Sequence, residues 1–316
     1  MGVFSSIEQF GSRFKEPVNL ALGMFDGVHI GHQQVLKASQ NHARKINGIS
    51  VAFTFPLHPA TFLRPENAPP LLMNAEQKAK MLHAYGMDHV IFRSFDHELS
   101  QVESDDFVVF IKERIPSIAG FSVGENFRFG KDRRGDASLL KHNGEKMGIR
   151  VEVVDSKNID GTTVSSSRIR EELTVGNIEN VNHMLGRSYN IYGVVSSGKK
   201  IGRQIGFPTM NLEWNPEAAP AFGVYVGWVK HLNESIQLPA VANYGMRPTM
   251  ENDVPSPKLE IHVLNEFDEE KWGYNFEIEM ALEYFIRPEK KFESVEELKN
   301  QIEKDRNKAI ALLQDF

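Results

Sequence analysis

No cysteine occurs among the 316 residues, which removes disulfides, thiolate zinc sites and a cysteine nucleophile together. No apolar run approaches the roughly 20 residues of a membrane span, and the opening MGVFSSIEQFGSRFK has no apolar stretch of signal-peptide length. Positive charge is short as well: 36 Lys and Arg stand against 42 Asp and Glu, a formal net charge of −6. Broad binding to nucleic acid or to an anionic membrane needs the opposite surplus on one face, so any phosphate site must be local. Chemistry is left to histidines, carboxylates, hydroxyls and the backbone.

What is present is ordinary globular composition, 41% hydrophobic and 25% charged, in a chain longer than one core usually organises. Two domains are expected, 1–186 and 187–316. In the first, VNLALGMF, ISVAFTF, HVIFRSF, FSVGENF and RVEVVDS read as buried strands. HQQVLKASQNHARKI, NAEQKAKMLHAYG, ESDDFVVFIKERI and ASLLKHNGEKMG between them have helical spacing. Strand, helix, strand in repetition predicts an α/β, Rossmann-like domain with a parallel sheet, whose ligands sit at the carboxyl ends of the strands.

From about residue 189 the strands follow one another without helices: YNIYGVVSS, AFGVYVGWVKH, IQLPAVANYG, KLEIHVLNE and FEIEMALEYF. Period-two alternation and Gly, Pro and Asn in the connections predict an antiparallel β-barrel. One terminal helix follows, with Ser294 and Glu297 as a capping-box pattern, and its plain place is over a barrel opening.

GMFDGVHIGH, at the end of the first strand, admits three readings: a metal pair, a phosphate cradle or an idle turn. His29 and His32 lack an obvious third ligand, whereas glycines and a helix N-terminus suit an anion, so the phosphate reading leads. VSSSRIR at 164–170 places hydroxyls and Arg168 at another helix start, where a plain cap is the commoner meaning of such a segment alone. In GENFRFGKDRRGD, Phe127 and Phe129 bracket Arg128 in a loop able to wrap a planar or phosphorylated ligand.

The H-x-G-H spacing resembles the nucleotidyltransferase superfamily, and VSSSRIR resembles its ISSTxxR element. With FTFPLHPATF and GENFRFG the resemblance narrows to the FMN adenylyltransferase module of the prokaryotic bifunctional riboflavin kinase/FAD synthetases. The second half repeats the match independently: GRQIGFPTMNL resembles the kinase signature GRxLGFPTANL, VANYGMRPTM resembles VANIGTRPTF, KLEIHVL resembles VEVHLLD, and EYFIRPEKKF resembles the closing IRxExKF segment. The likeness covers roughly residues 15 to 315.

The resemblance implies two reactions: ATP-dependent phosphorylation of riboflavin to FMN in the barrel, then adenylyl transfer from ATP to FMN, giving FAD and pyrophosphate, in the first domain. It implies ATP contacts at Gly23, Phe25, Asp26, Gly27, His29, His32, Ser165, Ser166 and Arg168, with positive charge from His29, His32 and Arg168. FMN contacts fall on Phe55, His58, Pro59, Phe62, Asn126, Phe127 and Arg128. In the barrel the implied ATP and flavin contacts are Gly202, Gly206, Pro208, Thr209, Asn211, Asn243 and Arg247, with Thr209 and Asn211 holding Mg²⁺ and Glu260 as the base. Partners are these small molecules, without nucleic acid or membrane, in a cytoplasmic monomer or transient homo-oligomer. Met210, Met246, Met250 and Ser197 depart from the family pattern, and a bulky Met210 beside the metal loop would narrow the kinase pocket. A monofunctional FMN adenylyltransferase with an inactive or regulatory barrel is the alternative.

Overall fold

The computed structural model describes residues 2–196, 206–232, 234–246, 257–265, 272 and 275–313. They form two compact units, Met1–Ser166 and Ser167–Phe316.

The first unit is built on six parallel strands: β1 (Gly2–Phe4), β2 (Val18–Leu22), β3 (Ile49–Thr54), β4 (His89–Phe92), β5 (Ile118–Gly124) and β8 (Arg150–Val154), in the order β1-β4-β3-β2-β5-β8. The helices are α1 (Ile7–Arg13), α2 (Ile30–Lys45), α3 (Ala60–Leu63), α4 (Ala75–Ala84), α5 (His97–Gln101), α6 (Phe107–Arg114) and α7 (Ala137–Lys146). Two small hairpins, β6 (Arg128–Phe129) with β7 (Gly135–Asp136) and β9 (Asn158–Ile159) with β10 (Thr162–Thr163), complete the unit.

The central strand VNLAL is buried at every position, as expected of a sheet covered on both faces. Leu20 and Leu22 enter one core with Val51, Phe53 and Phe121, while Ala21 enters the opposite core with Val35 and Leu36 of α2 and Leu82 of α4. After β2 the chain runs outward to β3 and β4, then returns to the other side of β2 as β5, so the strand order reverses beside β2. Such a switch point opens a crevice at the carboxyl ends.

The division falls at the first residue of α8 (Ser166–Thr174), and the second unit continues with α9 (Ile178–Leu185), which packs on β11 and β16. A closed barrel follows: β11 (Tyr189–Ser196), β12 (Met210–Leu212), β15 (Pro257–Val263), β14 (Leu238–Met246), β13 (Gly223–His231) and β16 (Glu277–Pro288), all neighbours antiparallel. Alternation is clear on β15, where Leu259, Ile261 and Val263 are buried and Glu260 and His262 are half-buried on the other face. At the irregularity between β13 and β16, a Cβ on Gly227 would lie 1.8 Å from the Ala281 carbonyl, so only glycine fits there.

The terminal helix α10 (Val295–Leu313) is capped by Ser294, whose Oγ accepts from Glu297 N–H at 3.1 Å. It lies along the outer wall and not over an opening: Ala309 and Leu313 pack with Val226, Trp228, Val241 and Tyr284, the outward-facing apolar residues of β13, β14 and β16. Arg287 of β16 grips Asp305 of α10 through Nε and Nη2, at 2.8 to 3.1 Å. Removing one partner of a buried bidentate pair strands the other charge. Asp305→Ala is therefore expected to lower barrel stability by about 3 kcal/mol, read as an earlier urea midpoint.

Candidate active sites

β3, β2 and β5 are adjacent and parallel, so three segments leave the same sheet edge side by side: 23–29, 55–59 and 125–128. In the first, Phe25, Gly27 and Val28 have φ of 49°, 80° and 41°. The values at Phe25 and Val28 store strain of about 1–3 kcal/mol each. The surroundings hold them there. Both side chains are buried, Thr54 Oγ1 donates to the Met24 carbonyl at 2.9 Å, and Gln33 Nε2 donates to the Val28 carbonyl at 2.9 Å.

His29 is the N-cap of α2, its Nδ1 accepting from His32 N–H at 3.3 Å. The two imidazoles stack at 3.6 Å with 16° between planes, and a Cβ on Gly31 would stand 3.2 Å from the His29 ring. His32 Nδ1 is buried without a hydrogen-bond partner. Burial, reinforced by His29 and Lys78, holds the His32 pKa well below the usual histidine range. His32 is thus a neutral imidazole at pH 7, not the cation that the family likeness suggested. Among the described residues no group of three or more His, Asp or Glu is placed to hold a metal, so the metal reading of this pair finds no third ligand.

Asp26 is fully buried, and its carboxylate accepts from Leu72 N–H at 3.0 and 3.2 Å. Its carbonyl accepts from Ser166 Oγ at 2.8 Å. That bond joins two motifs 140 residues apart in sequence, GMFDGVHIGH and VSSSRIR. Lys78 of α4, unremarkable in the sequence, is also fully buried, and its Nζ donates to the Met24 and Phe55 carbonyls at 3.1 and 2.9 Å.

On the neighbouring segments, Phe95 bridges Phe55 and Phe62 edge-on, at 5.9 and 6.0 Å between centroids. Phe62 is 48% exposed, an apolar ring presented to solvent. His58 Nδ1 accepts from Ala60 N–H at 3.1 Å, and Pro59 precedes α3. Asn126 donates to Ser156 Oγ at 2.9 Å, Phe127 stacks with Phe129 at 5.6 Å, and Arg128 is exposed. Phe55, Phe95 and Phe127 pack against one core on the same face of the sheet.

In the barrel, Asn211 of β12 is opposite Glu260 of β15, and Glu260 is opposite Asn243 of β14. Residues in register share a face with Cβ atoms about 4.5–5.5 Å apart, so the carboxylate lies between two amides on the outer wall. Met210 is opposite Ile261, an inward position, and is buried. Its thioether therefore fills the barrel interior and does not crowd this row. Thr209 is exposed just before β12, while Gly206 takes φ of 91° in the turn leading to it. Gly202, Arg247, Ser197 and Met250 lie outside the described residues.

His262, two residues beyond Glu260 on the same face, was not singled out in the sequence, where it is one more polar residue on an alternating strand. Its Nδ1 donates to the Pro208 carbonyl at 2.8 Å, pinning the segment that carries Thr209. Burial lowers its pKa, so the ring stays neutral and keeps that donor.

A parallel sheet with a strained glycine and histidine loop at its switch point, and a separate barrel bearing a carboxylate between amides, together describe a two-domain transferase of phosphate chemistry. Residues 12–168 match the FAD synthetase family and residues 185–313 the riboflavin kinase family. Relatives named bifunctional riboflavin kinase/FMN adenylyltransferase include those of Haemophilus influenzae, 35% identical over 90% of this chain and 91% of that one. Those of Pseudomonas fluorescens (34%, 92% and 91%) and Escherichia coli K12 (32%, 96% and 96%) are similar. A crystal structure from Streptococcus pneumoniae described as a macrolide-efflux protein shares the fold alone, with a TM-score of 0.84 and 24% identity over 96% of this chain and 97% of that one. The chain belongs to the bifunctional riboflavin kinase/FMN adenylyltransferase family. Among the described residues no helix is long and apolar enough to cross a membrane.

Proposed function

We propose that this chain converts riboflavin and ATP to FMN and ADP in the barrel, and FMN and a second ATP to FAD and pyrophosphate in a first domain of residues 1–186, with 186–187 as the boundary between the two activities. The matches to both families favour two reactions over adenylyl transfer alone.

The row Asn211, Glu260, Asn243 carries the kinase reading. Glu260 accepts the proton of the riboflavin 5′-hydroxyl as its oxygen attacks the γ-phosphorus. Asn211 and Asn243 hold the carboxylate and the phosphates in line. The Thr209 hydroxyl and the Asn211 carbonyl are neutral oxygens, which fit a hard Mg²⁺ whose charge the phosphates balance. That ion would neutralise the β- and γ-phosphates. Gly206 and Pro208 shape the loop, and His262 fixes it. His262→Phe is expected to lower riboflavin phosphorylation about tenfold through loss of this positioning, with FAD formation from supplied FMN unchanged. Separate assays of the two steps check it.

The bond from Ser166 to Asp26 carries the adenylyltransferase reading, because it attaches VSSSRIR to the strained loop. The FMN phosphate is already an anion and needs no base to attack the α-phosphorus. What the site must supply is alignment and electrostatic stabilisation. His32, as a neutral imidazole, and His29 offer ring N–H donors to the triphosphate, and Ser165 with the helix N-termini, together with Gly23 and Gly27, forms the cradle. The family likeness gives Arg168 the role of fixed positive charge, a guanidinium able to grip two phosphate oxygens. Phe55, His58, Pro59, Phe62, Asn126, Phe127 and Arg128 receive FMN, with Phe62 and Phe127 as faces for the flavin ring. The setting is the cytoplasm. ATP labelled at either phosphorus tests the scheme: γ-label must enter FMN, α-label must enter FAD only, and α-label absent from FAD would refute it.

A further inference from the structure

We propose that Lys78 is a positioning residue for adenylyl transfer: its buried ammonium holds the Met24 and Phe55 carbonyls and so fixes, from one atom, the loop that takes ATP and the segment that takes FMN. This rests on the adenylyltransferase reading of the first unit.

The geometry is specific. Met24 lies in GMFDGVHIGH after β2, Phe55 follows β3, and the two donors from Nζ, at 3.1 and 2.9 Å, tie these adjacent strand ends together. The Met24 carbonyl also accepts from Thr54 Oγ1, so a purely structural closure of this loop end already exists without a cation. α4 is set for the task by a capping box of Asn74 and Gln77 at its start. The preceding backbone is held by the Asp26 carboxylate at Leu72.

The charge also has consequences for an anionic substrate. A lysine with no solvent exposure ordinarily sits beside a carboxylate that neutralises it. The charged and titratable groups facing Lys78 are Asp26, which favours the ammonium, and His32, whose protonation Lys78 opposes. His29 stacks on His32, and the Glu76–Lys80 pair on the same helix is exposed and faces water. The Asp26 carboxylate accepts from Leu72 N–H, while the two contacts of the Lys78 ammonium given above are to backbone carbonyls. Burial lowers the Lys78 pKa to about 8 against partial compensation by Asp26. A triphosphate in the neighbouring loop would stabilise the ammonium and raise that value, and by linkage the ammonium would favour the triphosphate.

Two measurements on the full-length chain test the proposal. In the first, FAD formation from FMN and ATP and riboflavin phosphorylation are assayed side by side for wild type, Lys78→Met and Lys78→Gln from pH 6.5 to 9.5. Expected is a fall of about 100-fold in FAD formation for Lys78→Met, the scale of a misplaced substrate, with phosphorylation unchanged. Lys78→Gln, which keeps N–H donors, should recover part of the rate but lack the alkaline decline that the proposal predicts for wild type above pH 8. In the second, wild-type chain labelled with ¹³C at lysine Cε is titrated by NMR with and without α,β-methylene-ATP. One lysine signal should titrate near pH 8 and move to higher pH with the nucleotide, a result that does not depend on any variant folding. FAD formation by Lys78→Met within threefold of an active wild type, or a lysine titration indifferent to the nucleotide, would overturn the role of Lys78 alone. A wild type that forms no FAD would instead remove the underlying reading.

Discussion

Glu260→Gln is expected to abolish riboflavin phosphorylation in practice, with kcat lower by about 10²–10⁴, the range a general base contributes, and to leave FAD formation from supplied FMN intact. The substitution retains size and hydrogen-bonding capacity between Asn211 and Asn243, so the row across β12, β15 and β14 should survive and only the proposed proton acceptor be lost. The Leu259 and Ile261 side chains on either side point into the barrel and are untouched. Thermal unfolding should therefore match wild type within a degree or two, which separates a chemical loss from a structural one. Phosphorylation persisting within threefold of wild type would remove Glu260 from the mechanism and leave the row as wall packing.

His29→Asn is the second large effect, expected to lower FAD formation by about 10²–10³, the cost of removing one preorganised donor from a developing charge. Asparagine is chosen because His29 caps α2 through Nδ1, and Asn caps a helix well. His29→Ala removes donor and cap together and should add about 1 kcal/mol of destabilisation. A comparison of the two variants by pyrophosphate release and by urea unfolding resolves the imidazole's role in catalysis from its role in the helix. Equal activity of His29→Asn and wild type would return this pair to the idle-turn reading.

Much of this arrangement is legible in the sequence, and the reasons for the exceptions are physical. VNLAL, ISVAFT and the helical segments between them announce a sheet covered on both faces, because nothing but burial on two sides accommodates such runs. β1 and β12 escape notice, each being only three residues long and taking its place from a partner strand, β4 or β15, and not from its own pattern. The placing of α10 escapes too, because a helical stripe shows that one face is covered without showing by what. The outward Val226, Trp228 and Val241 supply the answer.

Site residues divide in the same way. GMFDGVHIGH and VSSSRIR stand out as a turn and a helix start because glycine, histidine and serine are informative at such places. Phe95 and His262 are invisible, since their roles are contacts with residues distant in sequence. Lys78 is the sharpest case: in EQKAK it is indistinguishable from Lys80, which is exposed and paired with Glu76. Its pKa near 8 lies below the 10.5 of an ordinary lysine, so at neutral pH the folded state carries a charging cost of about 3 kcal/mol. The sign is clear: the unfolded chain binds the extra proton between pH 8 and 10.5, so the cost is full below pH 8 and gone above 10.5.

The most direct test of two reactions on one chain is a single time course of the purified protein with riboflavin, ATP and Mg²⁺, resolved by chromatography. FMN should appear first and FAD after it, with ADP and pyrophosphate as the respective second products. FAD formed from supplied FMN, with no FMN formed from riboflavin, would contradict the bifunctional reading and leave the barrel without chemistry.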